Sequence, residues 1–202
     1  MRSSLSSASN GQENSSPAEA GHAALGRAPG LFLFPSFGHL AGALCDRISV
    51  MVGGRILQTG RPRDLYEQPS QLSVGKFLGR NNLIRAMRLS SSKSETGEFK
   101  TLEGGHVIRI PVADKNLVPL NQPCILAIRP EHVLLTNSDD KLENALPATV
   151  REINFAGATS SIKLDANGLT LEALALDADG LSVGDAVIVA LPPERIALLK
   201  NE

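Results

Sequence analysis

The sequence has few of the residues that nucleic-acid binding and disulfide chemistry use. Its 202 residues include no tryptophan and one tyrosine, and aromatic residues make up 3% of the chain. Single-stranded nucleic acid is bound by aromatic stacking in a basic groove, whereas this chain carries a formal net charge of −1. The composition therefore predicts no nucleic-acid partner.

Cysteines and long apolar runs are also scarce. Cys45 and Cys124 are far apart, lie among apolar residues and form no CxxC motif, so we expect small buried thiols in a reducing compartment. The apolar stretch 31–45 is interrupted by Pro35 and His39, and it is shorter than the ~20 residues that a membrane helix needs. It also lies too far from the N-terminus for a signal peptide, and we expect no direct membrane insertion.

The sequence divides into three segments that differ in composition and in residue pattern. Residues 1–43 are interpreted as a disordered or unrelated tail, because their start is rich in Ser, Ala, Gly and Asn without periodicity. Residues 44–79 predict a hairpin turning at Gly53-Gly54 and then two short helices. The first of these helices starts at Pro62, and the second is capped by Ser70 and ends at Gly79.

Residues 80–202 read as short strands separated by turn signals. The predicted strands are 82–89, 99–102, 107–112, 124–128, 133–135, 148–155, 161–165, 169–174, 186–191 and 196–199. Asn167-Gly168 is typical of a tight hairpin turn. Many short strands without a long helix predict a small β-barrel or two barrel-like modules. No sequence repeat is strong enough to prove two copies.

Phosphate-binding motifs are absent from these residues. Gly75-Lys76 is followed by Phe77, so the hydroxyl that a P-loop places on Mg²⁺ is missing. The run 174–177 ends in Asp177 without a following glutamate. Val52-Gly-Gly-Arg55 lacks the serine that a phosphate-contacting signature loop has before its glycines, and it fits a hairpin turn. We therefore expect this chain to bind no ATP and to be no enzyme on its own.

Metal and nucleophile sites are not indicated either. The four histidines are His22, His39, His106 and His132, and none has a second ligand at helical spacing. Glu131 and His132 are adjacent, which on a strand would turn them to opposite faces. We expect no metal and no cofactor in this chain.

Two ordered motif groups resemble one family. The first runs from Asp46 to Leu83, and the second is Ile128-Arg-Pro-Glu-His-Val133, followed by Gly157. Together they resemble the C-terminal part of the ATP-binding subunits of ABC importers of the maltose, polyamine and ferric-iron type, with their transport-associated OB (TOBE) domain. The motif residues that carry this resemblance, with structural or regulatory roles, are Asp46, Arg47, Gly54, Gly60, Pro62, Tyr66, Pro69, Gly79, Asn82, Arg129, Pro130, Glu131, His132 and Gly157.

The resemblance implies an architecture and partners. The fold is expected to be mostly β, with OB-like modules over 80–202 (the TOBE domain), a short α/β remnant of the nucleotide-binding domain over 44–79, and a disordered tail over 1–43. Implied partners are a second copy through the TOBE domain, and an ABC permease only through a complete subunit. The implied location is the cytoplasm, peripheral to the inner membrane. ATP and Mg²⁺ are implied only for intact relatives.

The departures from the family are confined to the N-terminal part. Ser36 stands where the family's switch histidine is expected, His39 comes three residues too late, and residues 1–43 do not resemble the family. We expect a gene fragment, a frameshifted reading or a misplaced start. The transported substrate cannot be read from these motifs.

Two other functions stay open. Gly79-Arg-Asn-Asn-Leu83 weakly resembles a segment of TOBE-type oxyanion binders, which would make the chain a stand-alone small-ligand protein, although a strand entry with Asn in a turn explains it as well. An OB-type nucleic-acid binder ranks lower, because residues 80–202 contain only Phe99 and Phe155 as aromatics.

Overall fold

The structure, a computed structural model, describes residues 22–25, 31–33, 45–91, 96–111, 118–136, 142–176 and 178–199. The strands are β1 (His22–Leu25), β2 (Leu31–Leu33), β3 (Ile48–Val52), β4 (Arg55–Gly60), β5 (Asn82–Ser91), β6 (Thr96–Thr101), β7 (Val107–Pro111), β8 (Pro123–Ile128), β9 (Leu134–Thr136), β10 (Ala145–Phe155), β11 (Ser160–Ala166), β12 (Leu169–Ala175), β13 (Ala186–Ala190) and β14 (Ala197–Leu199). Two α-helices, α1 (Pro62–Glu67) and α2 (Leu72–Phe77), and two 3₁₀ helices, Pro130–His132 and Pro193–Arg195, complete these elements. The prediction of a mostly β, OB-like fold is confirmed.

The N-terminal sheet has the strand order β2-β1-β3-β4. Gly53 and Gly54 join β3 to β4 with positive φ angles of 55° and 77°, as the predicted Gly-Gly hairpin requires. Within the segment 1–43, which is interpreted as a disordered or unrelated tail, the structure describes the two short strands β1 and β2. They pair with each other, and β1 also pairs with β3. Such pairing is non-local, so local composition does not reveal it. The remainder of 1–43 lies outside the described residues.

The two short helices pack on this sheet through a small core. Ile48 and Val50 of β3 meet Leu65 of α1 and Val74 of α2. Pro62 is the first residue of α1, as predicted, where its missing N–H costs nothing. The predicted cap by Ser70 is wrong. Gln71 takes the N-cap position of α2, and the Ser70 N–H and hydroxyl both donate to Gln58 Oε1.

Two five-stranded sheets form the rest of the described chain. The first module has the order β14-β8-β5-β6-β7, and the second has the order β9-β13-β10-β11-β12. Both sheets are curled and enclose one continuous apolar core, in which Phe99, Leu126, Leu164 and Val189 are fully buried. Because one core serves both sheets, we expect neither sheet to be stable without the other.

The two modules are copies of one plan. Strands β5, β6, β7 and β8 of the first correspond in order and pairing to β10, β11, β12 and β13 of the second. The agreement extends to irregularities, because β5 shifts register between Arg88 and Ser90 and β10 between Val150 and Glu152. Sequence analysis did not establish this duplication, since few residues are identical between the copies.

The fifth strand of each module comes from the other copy. β9 follows β8 in the chain but pairs with β13, with Leu134 opposite Ala190. β14 follows β13 but pairs with β8, with Ala197 opposite Ala127. The two connections that cross between the modules match each other, and each contains a 3₁₀ turn. The first crossing turn is Pro130–His132 in Ala127-Ile-Arg-Pro-Glu-His-Val-Leu-Leu135, and the second is Pro193–Arg195 in Ala190-Leu-Pro-Pro-Glu-Arg-Ile-Ala-Leu198. The modules are therefore interlocked by a reciprocal exchange.

Candidate functional site: an arginine-centred joint

Arg129 connects the N-terminal segment to the paired modules. Its side chain is buried at 2% exposure. Nε and Nη2 donate to the Tyr66 carbonyl at 3.2 and 2.8 Å, and Nη1 donates to the Arg80 carbonyl at 2.9 Å. Tyr66 lies in the last turn of α1, where backbone carbonyls lack helical partners. A cation at this end also matches the helix dipole, so Arg129 serves as a cap supplied from the barrel side.

The Tyr66 ring completes the arginine's surroundings. The Arg129 guanidinium lies 3.8 Å from the centroid of the ring, which is a cation–π distance. The Tyr66 hydroxyl donates to Glu131 Oε1 at 2.6 Å. Burial and this hydrogen bond raise the pKa of Tyr66, whereas burial lowers the pKa of Arg129. Tyr66, Arg129 and Glu131, together with Gly79 and Arg80, are called the joint below.

Gly79 allows the joint to close. Its φ of 114° is in the left-handed region, and a Cβ there would lie 3.4 Å from Arg129 Nη1 and 3.6 Å from the Tyr66 ring. Any other residue would be strained in its backbone and would crowd the guanidinium. The predicted end of the second helix is thus also the place where the chain passes beside Arg129.

Asn82 forms a second attachment just after the joint. Its side-chain amide donates to the Glu172 carbonyl at 2.8 Å and accepts from the Glu172 N–H at 2.7 Å. The same Glu172 carboxylate forms an ion pair with Arg80 and accepts from Ser161. The Asn82 side chain, at the start of β5, therefore bonds the backbone of β12 in the other module through one donor and one acceptor, as a neighbouring strand would.

Asn144 is the counterpart of Asn82, and sequence reasoning missed it. It accepts from the Arg109 N–H at 2.7 Å and donates to the Arg109 and Leu191 carbonyls, both at 2.9 Å. Arg109 on β7 corresponds to Glu172 on β12, so each module carries one asparagine that closes the other. The available signal was Asn82-Leu-Ile-Arg-Ala86 beside Asn144-Ala-Leu-Pro-Ala148, two asparagines before equally spaced apolar residues.

The charged face of α1 lies near both crossing turns. Glu67 forms an i,i+4 ion pair with Arg63 and lies 4.0 Å from Arg195 in the second crossing turn. His132 lies in the first crossing turn, and its pKa is lowered by burial and then by Arg195. Glu131 and His132 belong to a 3₁₀ turn, so the expectation that they lie on opposite faces of a strand is wrong.

The other motif residues are spread over the molecule. Asp46 and Arg47 are exposed before β3, Gly60 packs against Leu65, Pro69 is buried between the helices, and Gly157 turns β10 into β11 with a φ of 84°. Pro130 begins the first crossing turn. The structure brings together Tyr66, Gly79, Asn82, Arg129, Glu131 and His132, and it leaves the rest as separate turn and packing residues.

The sequences that resemble phosphate motifs have other roles. Gly75 and Lys76 lie within α2, where Gly75 packs near Pro69 and Asn81, so they form no loop around a phosphate. Gly53 and Gly54 form the hairpin turn, and Asp177 lies outside the described residues. Within the described part of the chain, no three metal-ligating side chains cluster, and no helix is long and apolar enough to cross a bilayer.

Cys124 is buried in the first module. Its thiol lies 3.4 Å from the Ala86 carbonyl, and burial raises its pKa to about 11. Cys45, before β3, is partly exposed, and both cysteines are free. A thiol with this pKa is a packing group at neutral pH.

Comparison with known proteins supports the C-terminal assignment. Residues 126–199 match the model of the TOBE domain. The spermidine/putrescine import ATP-binding protein PotA of Haemophilus ducreyi is 34% identical over 131 residues, which cover 63% of this chain and 34% of that protein. The sulfate/thiosulfate import ATP-binding protein CysA 2 of Chromobacterium violaceum is 30% identical over 167 residues, covering 79% and 43%.

A third relative and one solved structure are also similar to this chain. The Fe(3+) ions import ATP-binding protein FbpC of Haemophilus influenzae is 28% identical over 146 residues, which cover 72% of this chain and 38% of that protein. The crystal structure of the cytoplasmic molybdate-binding protein ModG with molybdate bound superposes with a TM-score of 0.50 at 15% identity, covering 58% of this chain and 94% of ModG. The ModG likeness concerns the fold. The chain spans about a third of the length of the curated relatives it matches.

Proposed function

Because residues 126–199 form a TOBE domain and the chain is similar to the C-terminal region of ABC importer ATP-binding subunits, we propose that it acts as the regulatory and dimer-contact part of such a subunit. The hydrogen bonds of Arg129 in the joint are the observation that supports this proposal. Arg129 belongs to the matched domain, and it holds α1 and the segment just before β5 against the modules through three hydrogen bonds. A displacement of α1 would therefore be transmitted to both modules.

The proposed function includes no ATP chemistry by these residues. A phosphate cradle needs consecutive backbone amides in a glycine-rich loop with a following Lys and Ser or Thr, and the sequence contains none. The candidate lysine, Lys76, lies in the last turn of a six-residue helix. Calorimetry with Mg-ATP should detect no binding to the full chain. Saturable binding, or turnover that persists after repurification, would contradict this part.

The proposed partners follow from the relatives. We propose self-association through the modules, contact with a permease only within a complete ATP-binding subunit, and a cytoplasmic location beside the inner membrane. The proposal names no transported substrate, since relatives named for polyamine, Fe(3+) and sulfate import all match this region.

A chimera tests the function directly. The matching C-terminal region of the Haemophilus ducreyi relative is replaced by residues 45–202, and spermidine uptake is measured with its permease. We expect uptake above the level of the relative lacking that region. In the chimera, Arg129→Ala should reduce coupling of uptake to ATP hydrolysis by several fold. Arg151→Ala, an exposed arginine paired with Asp165, is the matched control and should have no effect. A chimera that folds but never exceeds the truncated relative would reject the function.

The oxyanion alternative receives no support from side-chain geometry. Asn82 bonds the Glu172 backbone, Asn81 donates to the Gly75 carbonyl at 2.6 Å, and Arg80 pairs with Glu172. These polar groups are occupied by the protein itself. Calorimetry with molybdate, tungstate and sulfate should give no binding heat. The nucleic-acid alternative is weaker still, because Phe99 is fully buried and unable to stack on a base.

A further inference from the structure

The second module has an opening where its curled sheet does not close. Its outermost strands, β9 and β12, stand at opposite ends of the strand order, and no ladder of described residues joins them. A cavity of about 350 Å³, called the β9–β12 cavity below, lies between them. It reaches the core of the module, because the buried Ile162, Ala173 and Val187 are among its lining residues. Its volume is in the range of cavities that hold small organic molecules.

The first module has a cavity at the matching place, between β14 and the end of β7. This β7–β14 cavity measures about 500 Å³. Lining residues of the two cavities occupy equivalent positions, including Glu194 with Glu131, Ile196 with Val133, and Leu198 with Leu135. Each cavity therefore includes the glutamate of one crossing turn. A cavity that recurs in both copies follows from the exchange, because each borrowed fifth strand is left unjoined to the far end of its sheet.

The two cavities differ in cover and in charge. The β7–β14 cavity is also lined by Glu67 to Ser70 of the N-terminal segment and by Arg195, which lies 4.0 Å from Glu67. Among the described residues that line the β9–β12 cavity, none belongs to the N-terminal segment. Its charged lining residues are two acids, Glu131 and Asp179, and apart from Thr136 the rest of its wall is aliphatic. Such a lining complements an organic cation that has an aliphatic body.

Glu131 connects the β9–β12 cavity to the joint. Its Oε1 accepts from the Tyr66 hydroxyl at 2.6 Å, and the Tyr66 ring lies against the Arg129 guanidinium. Arg129 attracts Glu131 from within the joint, but it is not among the residues that line the cavity. A group bound at the Glu131 carboxylate therefore shares that carboxylate with the tyrosine that contacts Arg129.

We propose that the β9–β12 cavity binds a small aliphatic ammonium ion, with the hydrocarbon part against Ala173 and Val187 and the ammonium group at Glu131. The ammonium donates charge-assisted hydrogen bonds to the carboxylate, and the hydrocarbon part displaces water from the aliphatic wall. Because Glu131 also accepts from Tyr66, occupancy acts on the joint and through it on α1. The binding does not depend on the function proposed above, whereas its regulatory role rests on that function.

Calorimetry with the full chain at neutral pH tests the class of ligand. Hexylammonium is the probe, and hexanol and hexanoate are its neutral and anionic analogues of the same chain length. We expect saturable binding of hexylammonium and at least tenfold weaker binding of both analogues. Equal binding of hexanol would reduce the site to an apolar cavity and overturn the proposal. Absence of hexylammonium binding at millimolar concentration would overturn it as well.

Variants locate the site. Glu131→Gln removes the charge with little change in shape and should weaken hexylammonium binding at least tenfold. Glu194→Gln, at the equivalent glutamate of the β7–β14 cavity, is the matched control and should change binding less than twofold. Ala175→Leu fills part of the β9–β12 cavity and should abolish binding. Circular dichroism and the unfolding midpoint establish that each variant is folded. Binding that survives in folded Glu131→Gln would overturn the proposal.

Tyr66 gives a separate readout, because the chain has one tyrosine and no tryptophan. Hexylammonium should change the emission of Tyr66 with the same dissociation constant as calorimetry gives, and the change should disappear in Glu131→Gln. Emission that stays constant at saturation would contradict the placement of the ammonium at Glu131. Uptake by the chimera is a further measurement. Binding that leaves uptake unchanged would reject the regulatory role alone, so the site and the proposed function can fail independently.

Discussion

The two modules share strand order, register and even the site of a register shift, and three of the matched positions at which they differ are instructive. Arg129 corresponds to Pro192, Pro111 to Leu174, and the buried Arg88 to the buried Val150. The first module holds the N-terminal segment through Arg129 and blocks its own edge with proline. The second module has Pro192 at the place of Arg129 and Leu174 at the place of Pro111. Of the two copies, the first therefore carries the arginine that attaches the N-terminal segment.

The largest expected effect concerns whether the modules are separable. Phe99 and Leu164 occupy equivalent, fully buried positions in the shared core. Phe99→Ala should lower the free energy of unfolding by about 3–5 kcal/mol, and Leu164→Ala by about 2–5 kcal/mol. Both variants should still unfold in one transition, because each sheet contains a strand of the other copy. Calorimetry that resolves two unfolding transitions would contradict the claim that the two modules share one core and unfold together.

The bridging asparagines should rank next. Asn82→Ala leaves the Glu172 N–H and C=O unpaired, at a cost of about 2 kcal/mol. Asn144→Ala loses three hydrogen bonds and also places alanine at a φ of 53°, so we expect about 3 kcal/mol. Asn154→Ala on the exposed end of β10 is the control and should cost under about 0.5 kcal/mol in urea unfolding. Equal costs for the two asparagines would remove the predicted asymmetry.

A smaller effect is readable from the single tyrosine. The pKa of Tyr66 is raised above its ordinary value of 10.0, chiefly by burial and then by Glu131. A raised pKa stabilises the fold below pH 10, and that contribution is lost as pH rises through the folded-state pKa. Ultraviolet titration reports this group alone, since the chain has one tyrosine and no tryptophan. Glu131→Gln should shift the midpoint downward, and an unchanged midpoint would contradict the observed hydrogen bond.

The smallest effect distinguishes the two crossing turns, where His132 corresponds to Arg195. The pKa of His132 is lowered from 6.5 by burial and by the positive charges of Arg195 and Arg129, against the opposing pull of Glu131 and Glu67. A lowered pKa stabilises the fold above pH 6.5, and this contribution is lost as pH falls through the folded-state value. Proton NMR of the imidazole should show the shift. Arg195→Ala should raise the midpoint toward 6.5, with a further decrease counting against the assignment.

Local signals predicted much of this fold. Gly53-Gly54 and Asn167-Gly168 adopt the positive φ angles that their hairpin turns were expected to need. Each predicted strand of 80–202 appears with bounds shifted by a few residues at most. Such features depend on backbone preferences of neighbouring residues, which the sequence states directly.

Non-local features could not be predicted in the same way. Ser70 has the chemistry of a helix cap, but the side chain of Gln58 on β4 competes for it. The joint depends on Arg129 reaching a carbonyl 63 residues away, and the resemblance marked both residues without indicating their contact. The exchange of β9 and β14 was hidden for the same reason, because a strand's sequence does not name its partner.

The exchanged strands also constrain synthesis. β8 is completed by β14, whose last residue is Leu199, although β8 itself begins at Pro123. While the ribosome translates the intervening residues, the nascent first module keeps an open β8 edge and a partly uncovered core. Pairings this distant fold slowly and leave apolar surface accessible meanwhile. A stall before β14 would therefore yield a polypeptide that chaperones and proteases recognise, with both halves unfinished together.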